Sequence, residues 1–171
     1  MEKSIMQIYK LPTVLRNKLT TAWSNFFQSL QPANTLFAIT VVFRPVDSNN
    51  SQERWETEYT TGVLKKIRRC LERNPSRQDH ALPFPDFYYF ERNESSIYRV
   101  TGSRKPFHIH ALLPIRSDQV HRIWSIDKNN LHERLLKDIH SLGTVQSILV
   151  EIVREGHTLD WIRYVSKLKT I

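Results

Sequence analysis

The segment Lys105 to Ile115, reading Lys-Pro-Phe-His-Ile-His-Ala-Leu-Leu-Pro-Ile, restricts what this chain can fold into more than any other. Phe107, Ile109, Ala111 and Leu113 alternate with His108, His110, Leu112 and Pro114, and a period of two is the signature of a strand. Side chains two apart on a strand leave the same face. His108 and His110 therefore project together, while Ile109 and Ala111 point to a core. Two imidazoles side by side on a rigid segment suit two ligands of one metal. They also suit a polar sheet face with no metal, so the rest of the chain decides between the two.

Leu36 to Arg44 (Leu-Phe-Ala-Ile-Thr-Val-Val-Phe-Arg) is largely β-branched and aromatic, which predicts a buried central strand. Beyond the polar tract Pro45 to Ser51, Trp55, Tyr59, Val63, Ile67 and Leu71 recur every four residues with Leu64 beside them, as an amphipathic helix requires. The outer face of this helix carries Lys65, Lys66, Arg68, Arg69 and Arg73. It reads as a solvated face that also attracts phosphate. Asn74-Pro75-Ser76 ends the helix. Phe84 to Arg92 reads as a strand despite Pro85, Asn93 to Ser96 as a turn, Ile97 to Thr101 as a short strand, and Gly102 to Arg104 as a turn into the histidine strand.

Ser117-Asp118 can cap a short helix through Trp124. Asn130 precedes the stripe Leu131, Leu135, Leu136, Ile139 and Leu142, and Gly143 follows as a stop signal. Val145 to Val153 predicts a further strand containing Glu151. Thr158-Leu159-Asp160 opens a last helix with Leu159, Ile162 and Val165 on its packed side. At the other end, Leu11 to Leu30 carries Val14, Leu15, Leu19, Trp23, Phe26, Phe27 and Leu30 near helical spacing, with Pro12 suited to the first turn. Lys10, Arg16 and Lys18 lie on or near it, and Gln31 to Asn34 breaks it. Residues 1–34 thus read as a helical extension packed on a main domain, 35–171. The order helix, β, α, β, β, β, α, β, α predicts an α+β class. The natural form is a ferredoxin-like antiparallel sheet of about five strands with helices packed on one face.

A chain of 171 residues has room for one domain with a two-layer core. No apolar run approaches a membrane span. Met1 to Leu15 lacks the apolar stretch and small cleavage residues of a secretory leader. Cys70 is the only cysteine, which excludes an internal disulfide or a Cys-based zinc site and makes a reducing cytoplasm the default. The net charge of +8 and pI near 9.8 suit a polyanionic partner, nucleic acid being the commonest; the alternative is that the charge only aids solubility. None of the four glycines sits in a phosphate-binding loop, so no nucleotide-driven motor is expected.

The final segment holds Tyr164-Val165-Ser166-Lys167. Residues three apart on a helix are neighbours, so Tyr164 and Lys167 share a face. An ammonium beside a phenol favours the phenolate and can hold a phosphate oxygen. A tyrosine that attacks phosphorus needs such help, because its ordinary pKa is about 10. A surface tyrosine above a surface lysine is the alternative.

Taken together, a His-x-His strand, a helix, a strand with an acidic residue and a helix carrying Tyr-x-x-Lys resemble the HUH endonucleases, specifically the rolling-circle replication initiators. Phe37 to Phe43 resembles the family's first-motif strand, and Phe107 to Leu113 its histidine–hydrophobic–histidine motif. Ile152-Val153-Arg154 with Trp161 to Lys167 resembles the third motif with its nucleophile. The resemblance runs from about Thr35 onward. Relaxases typically place the tyrosine before the histidines. Single-tyrosine transposases usually carry a glutamine four residues after the tyrosine, where this chain has Leu168. Two-tyrosine initiators need a second tyrosine about a turn away, where Asp160 and Leu168 stand.

The resemblance implies a divalent cation, Mg²⁺ or Mn²⁺, on His108, His110 and an acidic residue. Glu91 is favoured for that residue, Glu94 is its rival, and Glu151 is an outside candidate. It implies nucleophilic attack by Tyr164, helped by Lys167, giving a 5′-phosphotyrosyl adduct on single-stranded or hairpin origin DNA. A host helicase and polymerase would be further partners, and no membrane is involved. Two imidazoles would also accept Zn²⁺. Arg99, Arg104, Lys105 and Arg163 are candidate phosphate contacts, and Tyr88, Tyr89 and Tyr98 candidate stacking platforms. His80, His121, His132, His140 and His157 read as surface or helix-face residues. The alternatives are a non-catalytic ferredoxin-like nucleic-acid-binding module and a single-tyrosine HUH transposase.

Overall fold

The structure is a computed structural model that describes residues 12–44, 54, 55, 57–72, 87–92 and 107–165. In chain order its elements are α1 (Thr13–Leu30), β1 (Asn34–Phe43), a π-helical segment (Glu58–Val63) that runs into α2 (Leu64–Leu71), β2 (Phe87–Arg92) and β3 (Phe107–Arg116). A 3-10 helix (Ser117–Arg122), β4 (Trp124–Ser125), β5 (Asn130–Leu131), α3 (Glu133–His140), β6 (Val145–Ile152) and α4 (Thr158–Val165) follow. Four strands form one sheet in the order β2-β3-β1-β6, antiparallel throughout. The two-residue strands β4 and β5 pair as a separate ribbon. The short strand expected at 97–101, its flanking turns and the stop at 74–76 lie outside the described residues.

The expectation of helices on one face is corrected. Phe37, Ile39, Val41 and Phe43 of β1, with Phe107, Ile109, Ala111, Leu113 and Ile115 of β3, pack against the π-segment, α2 and α3. The alternate residues Leu36, Ala38 and Leu112 face the other way and bury against Phe27 of α1 and Ile162 of α4. Both central strands carry apolar side chains at odd and even positions alike, so each sheet face needs a cover. Burying a large apolar side chain contributes about 1.5–3 kcal/mol, which gives the second face a driving force of its own. This is why the N-terminal helix packs on the sheet.

The stripe on α1 is narrower than its sequence suggests. Phe27 is buried and Leu19, Trp23 and Leu30 are partly buried, but Val14, Leu15 and Phe26 are exposed. Thr20 and Ser24 are buried in their place, on a helix whose close neighbour is α4.

The helix around residue 60 shows a local rule at work. Four residues advance about 400° on an α-helix, so a strict four-residue repeat drifts by about 40° per step. Yet Trp55, Tyr59, Val63, Ile67 and Leu71 are all buried. The wider π-turn at Glu58–Val63 takes up the drift and returns all five to one face. Trp55 stacks on Phe43 with ring centroids 5.0 Å apart, fixing the helix entry against β1.

Between β3 and α3 the short helix expected from Ser117 through Trp124 is present, ending two residues earlier at Arg122. It is a 3-10 helix, and the β4–β5 ribbon follows it. Asn130 consequently lies on β5, and His132 occupies the N-cap of α3. Leu131, Leu135 and Ile139 are buried as the stripe requires. Gly143 takes φ +73° after α3, a left-handed conformation that suits glycine at a helix end. Among the described residues no helix is long and apolar enough to cross a membrane.

Candidate active site

Among the described residues, the sheet face that α1 and α4 cover is not covered along its full length, and Val42 and His108 on it are part-exposed. Beyond Leu112, the alternation of β3 places His110 and then His108 on this face. Their ring centroids are 5.1 Å apart at 76°. His110 is buried and His108 partly so. The register sets Thr40 of β1 opposite His110, and Thr40 Oγ1 lies 2.9 Å from His110 Nδ1. That hydrogen bond fixes the ring orientation and occupies one of its two nitrogens.

Tyr164 reaches the same place from α4. Its ring centroid lies 5.3 Å from that of His110, edge to face, and the side chain is 56% exposed. Ile162, two residues earlier, is buried in the second core and anchors the helix. Trp161, one turn before the tyrosine, packs edge-on against it at 5.5 Å. Thus a residue 54 positions beyond His110 in the sequence touches it in the fold.

The third expected metal ligand falls at a telling position. Glu91 of β2 is the register partner of His108, and Tyr89 that of His110. β2 and β3 pair directly as antiparallel neighbours, and the residues that join them, 93–106, lie outside the described residues. Glu151 sits on β6, opposite Ala38, with β1 between it and the histidine strand. Among the described residues no three His, Cys, Asp or Glu side chains gather closely enough to hold a metal. His108 and His110 thus form a pair, and a carboxylate at the Glu91 position is the donor that would complete a mixed nitrogen and oxygen set suited to Mn²⁺ or Zn²⁺. Glu94, Arg99, Arg104, Lys105, Lys167, Tyr98 and His80 lie outside the described residues. Arg163 is exposed on α4 beside Tyr164 in sequence.

Tyr164 also lines a cleft of about 500 Å³, together with Glu151, Ile152, Arg154, His157, Asp160 and Trp161. His157 Nδ1 and Asp160 Oδ2 stand 3.6 Å apart across its rim. His121, His140 and His157 are exposed. His132 bonds through Nε2 to the His121 carbonyl at 2.9 Å, so these four occupy surface and helix-end positions, as their sequence contexts suggest.

Two contributors escape motif reading. Thr40 leaves a faint trace as the one hydroxyl in the apolar run Leu36 to Phe43. Trp161 falls inside the third-motif segment, but nothing in the spacing assigns it to the tyrosine ring. No family model, curated protein or solved structure matches this chain.

Proposed function

We propose that this protein nicks and transfers single-stranded DNA through Tyr164, as a single-tyrosine HUH replication initiator does. The observation that carries the reading is the contact of Tyr164 with His110, at 5.3 Å between centroids. A tyrosine and a His-x-His pair that resemble two separate family motifs meet on one sheet face. The chain order β1-α2-β2-β3-α3-β6 with sheet order β2-β3-β1-β6 also fits the ferredoxin-like arrangement that the resemblance implies.

In this reading His108, His110 and Glu91 hold a divalent cation, which when bound polarises the scissile phosphate as a Lewis acid. With Nδ1 of His110 engaged by Thr40, the ring would ligate through Nε2, and Thr40 holds it in the ligating orientation. Tyr164 Oη attacks phosphorus; the new bond joins the phenol oxygen to the 5′-phosphate and the broken bond releases a 3′-hydroxyl. The phenol oxygen gives up its proton as the bond forms and the departing 3′-oxygen takes one up, so the exchange balances. One phosphodiester is exchanged for another, so the bond is kept for rejoining without ATP. The exposure of Tyr164 leaves room for a strand to enter, and Trp161 keeps the tyrosine ring in place.

The substitutions Tyr164→Phe and His108→Ala/His110→Ala test this reading with single-stranded and hairpin oligonucleotides in the presence of Mn²⁺. The first should abolish covalent adduct. The second should abolish metal-dependent cleavage while retaining DNA binding. Adduct formation by Tyr164→Phe would overturn the nucleophile, and unchanged cleavage by the histidine variant would overturn the metal site. Binding without any adduct in the unsubstituted chain would favour a non-catalytic nucleic-acid module.

A further inference from the structure

On the opposite side of the sheet from the histidines, α2, the 3-10 turn, the β4–β5 ribbon and α3 enclose a cleft of about 760 Å³. Lys66 and Arg69 reach it from α2, Arg122 from the 3-10 turn, Lys128 from the ribbon and Arg134 from α3. We propose that this cleft is a second nucleic-acid site, which grips the phosphodiester backbone of a duplex. It uses none of the residues of the proposed nicking site and stands independently of that chemistry.

Three features favour a backbone grip. First, five lysines and arginines face two carboxylates, Glu133 and Asp138, among the described lining residues. Much of the chain's excess positive charge is thus gathered in a concave region, where protein walls focus the field on an anion. Glu133 is already engaged by Lys128. Second, the cations are spread over four elements rather than converging on a point, which suits a run of phosphates better than one small ion. Arg122 is tied in place by donating from Nη1 to the Leu71 carbonyl at 3.0 Å, at the C-terminal end of α2. Third, no Phe, Tyr or Trp is among the described lining residues, where the one ring is the imidazole of His132, held by its bond to the His121 carbonyl. Strand-binding sites for unpaired bases use aromatic platforms; a cleft without them addresses phosphates and reads no base.

Geometry separates the two sites. His110 and Tyr164 occupy the face covered by α1 and α4, whereas the cleft lies among the helices of the other face. A segment held in the cleft reaches the tyrosine only by passing round a sheet edge. The cleft would therefore hold a duplex segment apart from the strand offered to Tyr164.

The test measures binding of a labelled, mixed-sequence blunt duplex to the full chain by fluorescence anisotropy over a series of salt concentrations, without divalent metal. Lys66→Gln/Arg69→Gln/Arg134→Gln should weaken binding about tenfold or more and reduce the salt slope by roughly three. Arg116→Gln, at a residue outside the cleft that pairs with Asp118, should leave both values unchanged. Saturating duplex should also slow alkylation of Cys70, the single cysteine of the chain, which lines the cleft; this readout needs no substitution. Unchanged affinity and slope in the triple variant, or unprotected Cys70, would overturn the proposal. Displacement of the duplex by equimolar tripolyphosphate would overturn it in favour of a small polyanion site.

Discussion

Replacing Thr40 with Val removes one oxygen at nearly constant shape and isolates the hydrogen bond to His110. The bond is 2.9 Å long and partly buried, and His110 itself is 4% exposed. Losing a partner for a buried polar atom costs about 1–3 kcal/mol, and the added methyl group on an apolar strand offsets up to about 0.8 kcal/mol of it. With the full offset a net loss of about 0.2–2.2 kcal/mol follows, or a fall in Tm of roughly 0.4–9 °C for a chain of this size. The functional effect should be larger than the stability effect. A group that orients a metal-ligating histidine is worth about 10–100-fold in metal affinity or activity. Under the nicking reading, Mn²⁺ titration of single-turnover adduct formation should show the half-saturating concentration raised by about that factor, with the Tyr164 adduct still formed at high Mn²⁺. Thr40→Ser, which restores the hydroxyl, should recover most of the loss. An unchanged Mn²⁺ dependence in a folded Thr40→Val chain would refute the role given to Thr40, whatever its Tm.

Trp55→Ala removes a fully buried ring stacked on Phe43; it should cost about 3–5 kcal/mol, measured by urea unfolding, and a cost near zero would contradict the packing described. The Lys128 hydrogen bond and charge hold the Glu133 carboxyl below the usual glutamate range. Its stabilising effect is therefore present above the unfolded pKa and lost as the pH falls through the lowered folded value. The denaturation midpoint should exceed that of Glu133→Gln at neutral pH and converge with it in strong acid; a gap that widened with acidity would reverse the sign. Burial, and then the nearby Asp138 carboxylate, push the Cys70 thiol up. At neutral pH it should alkylate more slowly than free cysteine, and Asp138→Asn should speed it; a rate above that of free cysteine would contradict this environment.

What the sequence disclosed follows from how each feature is encoded. The strands β1 and β3 were legible because β-branched and aromatic residues repeat along them, and His108 and His110 fell on one face by parity alone. The same runs also held the sign that both faces are buried, since Leu36, Ala38 and Leu112 are as apolar as their neighbours. Reading alternation as one-sided hid the place of α1 and α4. The four-residue repeat from Trp55 to Leu71 located its helix but not the π-turn, which appears only when the drift of such a repeat is compared with five buried positions. The β4–β5 ribbon has two-residue strands, too short for any periodic signal, so Asn130 looked like a helix start. For the site, motif order pointed to Tyr164 and His110, but their contact depends on the approach of α4 across the sheet. Thr40 enters through strand register, which no local pattern states. The places of Glu91 and Glu151 likewise appear only with the register: Glu91 is paired with His108, and Glu151 lies two strands away.

The central claim is tested most directly by finding which residue, if any, becomes joined to DNA. The full chain would be incubated with Mn²⁺ and a random-sequence pool of single-stranded and hairpin oligonucleotides, denatured, digested and mapped by mass spectrometry. The account predicts a nucleotide attached through its 5′-phosphate to the peptide containing Tyr164, formed only with divalent metal. An adduct on any other residue, or cleavage that leaves no covalent link to the protein, would contradict it.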